Sequence, residues 1–166
     1  GRFGIGDLGI SATAFLDWAI TAGQSVWQVL PLNPPALENC PYAALSSHAG
    51  NPLLISPARL VEDELLPPGS LVGSPAFPEA RVDFASVAAW KHGLLRASFA
   101  VFRDHATLGV RDAYEAFLAD PAVRTWLDDW ALFAALRERF ARTSWVRWEH
   151  SLRHREPAAM ATARRE

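Results

Sequence analysis

An almost wholly apolar run at residues 25–32 sets the strongest limit on the fold of this chain. Apolar side chains on both faces are typical of a strand in a parallel sheet that is flanked by helices. The pattern before it predicts a helix that begins near Ser11 and is ended by Gly23. A helix that leads into such a strand is the second half of a β-α-β unit. The sequence therefore predicts an α/β fold, with the first strand of that unit expected before Gly1.

Two connections rich in proline and glycine follow the predicted strand. Residues 33–51 form a long irregular segment, and loops of this length in compact domains are usually functional or disordered. The short apolar stretch at residues 52–56 is expected to be extended. Residues 57–80 are predicted to be mainly a second connection.

The second half of the chain is predicted to be helical. Apolar spacing of three and four residues after Ser86 predicts a helix with one buried face, made by Val87, Trp90, Leu94, Ala97, Val101 and His105. Asp112 is expected to cap a short helix. Asp120 followed by Pro121 predicts the start of a helix that continues to Leu136, and Pro157 predicts another start.

Residues 4–9 match the G-x-G-x-x-G pattern of dinucleotide-binding loops. That mechanism needs a preceding strand and an acidic residue about 20 positions later for the ribose. No strand precedes this match within the chain, Trp27 and Gln28 stand where the acid is needed, and Asp7 would oppose a pyrophosphate. We therefore expect a tight glycine turn that leads into a helix.

Histidine spacing and basic residues near the C-terminus suggest two further classes of site. His150 and His154 have the spacing of zinc ligands on a helix, but neighbouring arginines would repel a dication, and we expect no metal site. Glutamates interleave with these arginines and the formal net charge is −2, which disfavours a nucleic-acid partner. No apolar run approaches the roughly 20 residues of a membrane-spanning helix, so no membrane partner is expected.

Conventional nucleophiles and paired carboxylates give no catalytic constellation. Cys40, the only cysteine, lies on the same loop as His48, but no third group to orient the pair is evident. Asp128 and Asp129 are adjacent in a predicted helix and would point about 100° apart. Glu38 is the only acid near the end of the predicted strand. One acid is not a catalytic pair.

The loop after the predicted strand is the strongest candidate for a ligand site. It carries Tyr42, Ser46, His48 and Asn51, and α/β folds build their sites on loops that follow parallel strands. A tyrosine ring suits a sugar, because it offers an apolar face to C–H groups and a hydroxyl at its edge. A half-buried structural role for Tyr42 is an equal alternative.

Several spaced motifs together resemble the 4-alpha-glucanotransferases, the amylomaltases or disproportionating enzymes of glycoside hydrolase family seventy-seven. The resemblance extends over nearly the whole chain and follows the family's order and spacing. The motifs are Gly-Ile-Gly-Asp-Leu-Gly at 4–9, Gly-Gln-Ser-Val-Trp-Gln-Val-Leu-Pro-Leu at 23–32, Pro41-Tyr42, Ala-Gly-Asn-Pro-Leu-Leu-Ile at 49–55 and Trp-Leu-Asp-Asp-Trp-Ala-Leu-Phe at 126–133.

This resemblance implies a partial (β/α)8 TIM barrel with a helical insertion, truncated at both ends, because 166 residues cannot close such a barrel. Residues 1–56 would begin the barrel and contain the substrate loop 33–52. Residues 57–80 would be a connection and 81–166 a helical insertion subdomain. The expected activity is retaining transfer of α-1,4-glucan segments between maltooligosaccharides, without metal or cofactor. The family's catalytic carboxylates would lie beyond this chain, which is expected to be inactive alone.

The resemblance also assigns substrate-binding positions. Tyr42 matches the tyrosine that lines the donor-sugar subsite, Ser46 matches a ligand contact on the same loop, and Asn51 with Pro52 matches its architecture. The family usually has Ser at Cys40, a polar residue at Ala43 and often an aromatic residue at His48. These departures affect individual contacts with the sugar.

A non-catalytic glucan-binding or structural α/β module is the alternative function. A downstream aspartate and glutamate at strand ends would favour the enzyme, and their absence would favour the module. The cytoplasm is the expected location, because a single cysteine cannot form an internal disulfide and nothing marks an oxidising compartment.

Overall fold

The computed structural model describes residues 1–36 and 39–165, and its chain divides into two compact units, Gly1–Glu115 and Ala116–Glu166. The regular elements of the described residues are helical. The α-helices are α1 Ile10–Thr21, α2 Pro57–Glu62, α3 Phe84–His105, α4 Leu108–Ala119, α5 Pro121–Arg124, α6 Leu127–Arg139, α7 His150–Arg153 and α8 Pro157–Ala163. Short 3₁₀ turns cover Pro52–Leu54, Pro68–Leu71 and Trp145–Arg147.

Residues 25–32 do not form the predicted strand in this chain. A strand is defined by backbone hydrogen bonds to a neighbour, and no neighbouring strand is present among the described residues. The apolar side chains of the run are accordingly exposed, with Val26 83% and Leu30 58% accessible. The expectation of extended backbone at 52–56 is also wrong at its start, since Pro52–Leu54 is a 3₁₀ turn.

The core of the first unit is small and lies against one face of α3. Phe3 stacks on Trp90 with ring centroids 5.6 Å apart, and Phe77 meets the same indole edge-on at 5.7 Å. On α3 the buried residues are Val87, Lys91 and Ser98. The buried stripe is therefore rotated from the predicted face, and Ala97 and His105 are exposed rather than buried.

The second unit packs around an aromatic cluster. Leu132, Leu136 and Trp148 are its buried centre, and Phe133, Phe140, Leu152 and Met160 pack against them. Asp120 caps α5 as predicted, because its Oδ1 accepts a hydrogen bond from Ala122 N at 2.8 Å. The single helix predicted from Pro121 to Leu136 is instead two helices with a break at Thr125 and Trp126.

Two other helix starts test the capping predictions. Pro157 is the first residue of α8, as expected from its fixed φ. Asp112 was expected to cap a helix, but α4 already begins at Leu108, so Asp112 lies inside it.

Candidate functional site

The ends of the loop at residues 33–52 are held together by two hydrogen bonds. Asn51 N donates to Leu32 O at 2.8 Å, and Asn33 Nδ2 donates to Ala49 O at 3.0 Å. These contacts join the two sides of the loop at its base. The segment is therefore a closed loop, although most of its backbone has no regular structure.

The outer part of this loop folds back on itself and presents Tyr42. Leu45 N donates to Pro34 O at 2.8 Å, and Ala36 N donates to Ala43 O at 2.6 Å. An isolated antiparallel bridge joins Pro35 and Ala44 between them. Tyr42 is 75% exposed on this folded segment. Its aromatic face is open to a ligand, as an apolar platform for a sugar requires.

Ser46 uses its hydroxyl oxygen to shape the loop. Ser46 Oγ accepts hydrogen bonds from His48 N at 3.1 Å and from Ala49 N at 3.0 Å. Ala49 beneath it is buried at 3% exposure. A hydroxyl that accepts in this way still has its own proton to donate. Ser46 can therefore shape the loop and donate to a sugar oxygen at once.

Asn51 closes the loop by capping the turn that follows it. Its Oδ1 accepts a hydrogen bond from Leu53 N at 3.0 Å, at the start of the 3₁₀ turn Pro52–Leu54. Pro52 occupies the first position of that turn, where a missing N–H costs nothing. This geometry fits the architectural role that the sequence resemblance gives to Asn51 and Pro52.

A buried lysine beneath this turn was missed by the sequence analysis. Lys91 is 2% exposed, and its Nζ donates to Leu53 O at 2.6 Å and to Ile55 O at 2.9 Å. Asp7 Oδ2 lies 4.0 Å from the same nitrogen. Burial lowers the pKa of Lys91 from the usual lysine value, and the charge of Asp7 partly opposes that change. Residues four apart lie on the same face of a helix, so the position of Lys91 four residues after the apolar Val87 was the signal in the sequence for its burial.

The glycine run at residues 4–9 packs closely, as a turn before a helix. Gly4 has φ +78°, and a Cβ there would collide with the Phe77 ring and with Val87. A Cβ at Gly9 would collide with the Ser56 hydroxyl. Asp7 Oδ1 accepts a hydrogen bond from Gly9 N at 3.1 Å. The prediction of a tight turn that leads into a helix is confirmed, and Gly4 and Gly9 stand where a side chain would collide with their neighbours.

A cavity of about 740 Å³ lies beside the loop in the first unit. Its lining is mainly apolar, with Trp27, Val29, Leu32 and Leu54 among the lining residues. Tyr42, Ser46 and Asn51 do not line it. The cavity is therefore distinct from the exposed face of Tyr42.

The remaining candidates from the sequence do not assemble a reactive centre. The His150 and His154 rings stack at 4.1 Å, and within residues 1–36 and 39–165 no three metal-binding side chains form a group that could hold an ion. Asp129 pairs with Arg155 at 2.8 Å and with Arg164 at 3.5 Å. Glu38 lies outside the described residues.

A helix that crosses a bilayer must be long and predominantly apolar. In the part of the chain that the structure describes, no helix is both long enough and apolar enough to do so.

Comparisons with known proteins agree along the whole chain. A family model described as 4-alpha-glucanotransferase matches residues 1–166. The 4-alpha-glucanotransferase of Synechocystis is 42% identical over 159 residues, which are 96% of this chain and 31% of that protein. The Thermus thermophilus 4-alpha-glucanotransferase is 38% identical over 99% of this chain and 32% of its own length.

The fold of this chain is similar to part of a solved amylomaltase structure. The amylomaltase from Streptococcus agalactiae in complex with acarbose superposes with a TM-score of 0.86 at 27% sequence identity. The match covers 99% of this chain and 32% of that chain. The chain thus spans about a third of the length of the relatives it matches.

Proposed function

This chain belongs to the 4-alpha-glucanotransferase family, glycoside hydrolase family 77, and from that premise we propose that it is the N-terminal part of a transglycosylating enzyme. The enzyme transfers α-1,4-glucan segments between maltooligosaccharides. The share of its relatives that the chain covers supports this proposal, since roughly two thirds of their length has no counterpart here.

The observation that carries the proposal is the exposed ring of Tyr42 on a loop whose base is hydrogen-bonded shut. The apolar face packs on the donor sugar, and Ser46 donates its remaining proton to the same ligand. Asn51 holds the end of the loop. A related amylomaltase was solved in complex with acarbose, which supports an oligosaccharide ligand for this chain.

The chemistry proposed is retaining transglycosylation. A carboxylate attacks the anomeric carbon and forms a glycosyl-enzyme, while a carboxylic acid protonates the departing oxygen. The 4-hydroxyl of a second glucan then displaces the enzyme carboxylate and gives its proton to the residue that acted as acid. Both carboxyl groups come from parts of the enzyme beyond this chain. Tyr42 contributes by covering the donor sugar and excluding water.

We propose the same division of the chain that the family resemblance implies. Residues 1–56 begin a (β/α)8 barrel, 57–80 connect, and 81–166 form a helical insertion. Residues 25–32 become a barrel strand when the other barrel strands are present. The exposed side chains of Val26 and Leu30 support this, because they provide an apolar surface that neighbouring strands and helices would cover.

The test is a transfer assay on the full-length protein that contains this chain. With maltotriose as the only substrate, transfer forms glucose and maltopentaose from two molecules, whereas hydrolysis forms glucose and maltose. Transfer products support the proposal. Binding of maltotriose without products would favour a non-catalytic glucan-binding module, and neither binding nor products would favour a structural module.

The proposed location is the cytoplasm, without a nucleic-acid or membrane partner. Support comes from the single cysteine and the formal net charge of −2. Cell fractionation with an antibody to this chain checks the location, and enrichment in a membrane or organelle fraction would contradict it.

A further inference from the structure

Among the described residues of the first unit, Lys91 is the most buried charged side chain, and its surroundings explain how the buried charge is tolerated. Its side chain is 2% exposed, and its ammonium nitrogen donates hydrogen bonds to the carbonyl oxygens of Leu53 and Ile55. The Asp7 carboxylate is the nearest opposite charge. A buried ammonium is destabilising unless such partners surround it. Two hydrogen bonds and one nearby carboxylate thus offset the cost of burying the Lys91 ammonium group.

The two carbonyls belong to the backbone that ends the substrate loop. Leu53 lies in the 3₁₀ turn capped by Asn51, and Ile55 is the residue after that turn. Between them, Leu54 O accepts a hydrogen bond from Leu8 N at 2.9 Å. The end of the loop is therefore bonded to α3 through Lys91 and to the glycine segment through Leu8.

We propose that Lys91 is a positioning residue for the sugar-binding loop. By holding the carbonyls of Leu53 and Ile55 it fixes the end of the loop, and through the closed loop it sets the place of Tyr42. This inference rests on the proposed function, because it assumes that the loop binds a glucan. Lys91 itself touches no substrate.

The chemistry of the side chain favours this role over simple filling of the core. An apolar side chain of similar length, such as methionine, would fill the space but leave two carbonyls without donors. The ammonium group supplies three donors on a flexible stem, which suits partners in different directions better than a planar guanidinium does. The lysine thus links α3 to the loop end in a way that packing alone does not.

A spin label on Cys40 measures the loop directly in the full-length protein, with any cysteine outside this chain replaced by serine. Cys40 is the only cysteine of these 166 residues, is exposed, and lies on the loop itself. We expect Lys91→Met to narrow the spectral lines of the label, because the loop loses its anchor and moves more freely. The matched control is Arg103→Met on the same helix, because the Arg103 side chain is 66% exposed and pairs with Asp104 at the surface. The control spectrum should equal that of the wild type.

Circular dichroism must show each labelled variant folded at the temperature of measurement. If Lys91→Met does not fold, Lys91→Gln replaces it, since its amide can still donate to one carbonyl and should give intermediate line widths. Folded Lys91 variants whose label is as immobile as in the control would overturn the inference.

The second measurement separates positioning from stability in the full-length protein. If only one tenth of molecules hold a competent loop, the KM for maltotriose rises about tenfold while kcat per folded enzyme is unchanged. A purely structural role would instead reduce the amount of active enzyme, lowering the maximal rate at constant KM. Constant KM in Lys91→Met would therefore contradict the inference.

The two assays also distinguish failure of the inference from failure of the proposed function. A wild-type protein without transfer or glucan binding would refute the proposed function, and the role of Lys91 in a sugar-binding loop would fail with it. An active wild type with an unmoved label and constant KM would refute the role of Lys91 alone.

Discussion

At the scale of single residues, side chains on one loop have different environments and contacts. Tyr42 projects its ring outward, whereas Ser46 and Asn51 turn their oxygens back to the backbone of the same loop. All three were identifiable from the sequence as polar or aromatic residues after a predicted strand. The family resemblance implied an architectural role for Asn51, whereas the support that Ser46 gives to the loop was visible only in the hydrogen bonds of the structure.

We expect Tyr42→Ala to reduce transfer in the full-length protein without reducing stability. The ring is 75% exposed, so its removal should change the free energy of unfolding by no more than about 0.5 kcal/mol. Loss of the sugar platform should lower kcat/KM for maltotriose about tenfold or more.

Tyr114 is the matched control, because its ring packs edge-on against Phe102 at 5.0 Å. Tyr114→Ala should lower the melting temperature and leave kcat/KM per folded enzyme unchanged. A large stability loss in Tyr42→Ala with unchanged transfer would make Tyr42 a structural residue.

The burial of Lys91 predicts how the free energy of unfolding depends on pH. Burial lowers its pKa in the folded chain, so between that value and the usual 10.5 the unfolded chain binds more protons. The destabilisation from holding the charge is complete below the folded pKa and is lost progressively as the pH rises from that value to 10.5. The unfolding free energy of the wild type, relative to Lys91→Met, should therefore increase as pH rises toward 10.5. Denaturant titrations across this pH range measure the two unfolding free energies. A difference between the wild type and Lys91→Met that stays constant or falls as pH rises would contradict the prediction.

Lys91 also shows why residue-scale prediction was incomplete. The sequence places a charged residue next to an apolar helical face, and that pattern usually means a solvated side chain. Its burial depends on carbonyls 36 and 38 positions earlier in the chain, which no local pattern reports.

At the scale of elements, predictions succeeded where the signal is local. Gly23 has φ +75° just after α1, and Pro121 and Pro157 begin helices, as expected from residues whose conformational limits act on their own backbone. The break between α5 and α6 was not predictable in this way. Trp126 fits an apolar helical pattern, but its φ of −137° departs from helix.

Two glycines with nearly equal φ separate backbone strain from packing. Gly4 and Gly23 have φ +78° and +75°, but a Cβ meets Phe77 and Val87 at Gly4 and open space at Gly23. We expect Gly23→Ala to lower the free energy of unfolding by about 1–2 kcal/mol through backbone strain alone. Gly4→Ala should cost clearly more, because a collision is added. Chemical denaturation of the two variants compares them, and equal losses would show that the Phe77 ring moves aside.

At the scale of the whole molecule, the resemblance of spaced motifs predicted the family correctly, whereas the apolar pattern predicted a strand that the structure does not contain at residues 25–32. The family resemblance is confirmed by a match over residues 1–166. The predicted strand is absent, because strand formation depends on a partner and an apolar run supplies only half of a pair. Helices contain their own hydrogen bonds, which is why the helical second half was the better predicted part.

The isolated chain should not disproportionate maltotriose. The described residues of the substrate loop, 33–36 and 39–52, include no Asp or Glu, and the reaction needs two carboxyl groups. Incubation with maltotriose followed by glucose measurement checks this against a blank without protein and against the full-length protein. Glucose above the blank from the isolated chain would contradict it.

The unpaired backbone of residues 25–31 has a consequence for handling the protein. Among the described residues it makes no backbone hydrogen bond, and Val26 is 83% exposed, so it resembles an unprotected sheet edge. Copies of the isolated chain can pair along this edge and aggregate. Val26→Lys places a charge on this edge. At rising protein concentration, we expect its solutions to scatter less light than those of the wild type. Equal scattering would mean that the chain aggregates through another surface. An exposed apolar segment whose backbone is unpaired is thus an aggregation hazard in the chain alone.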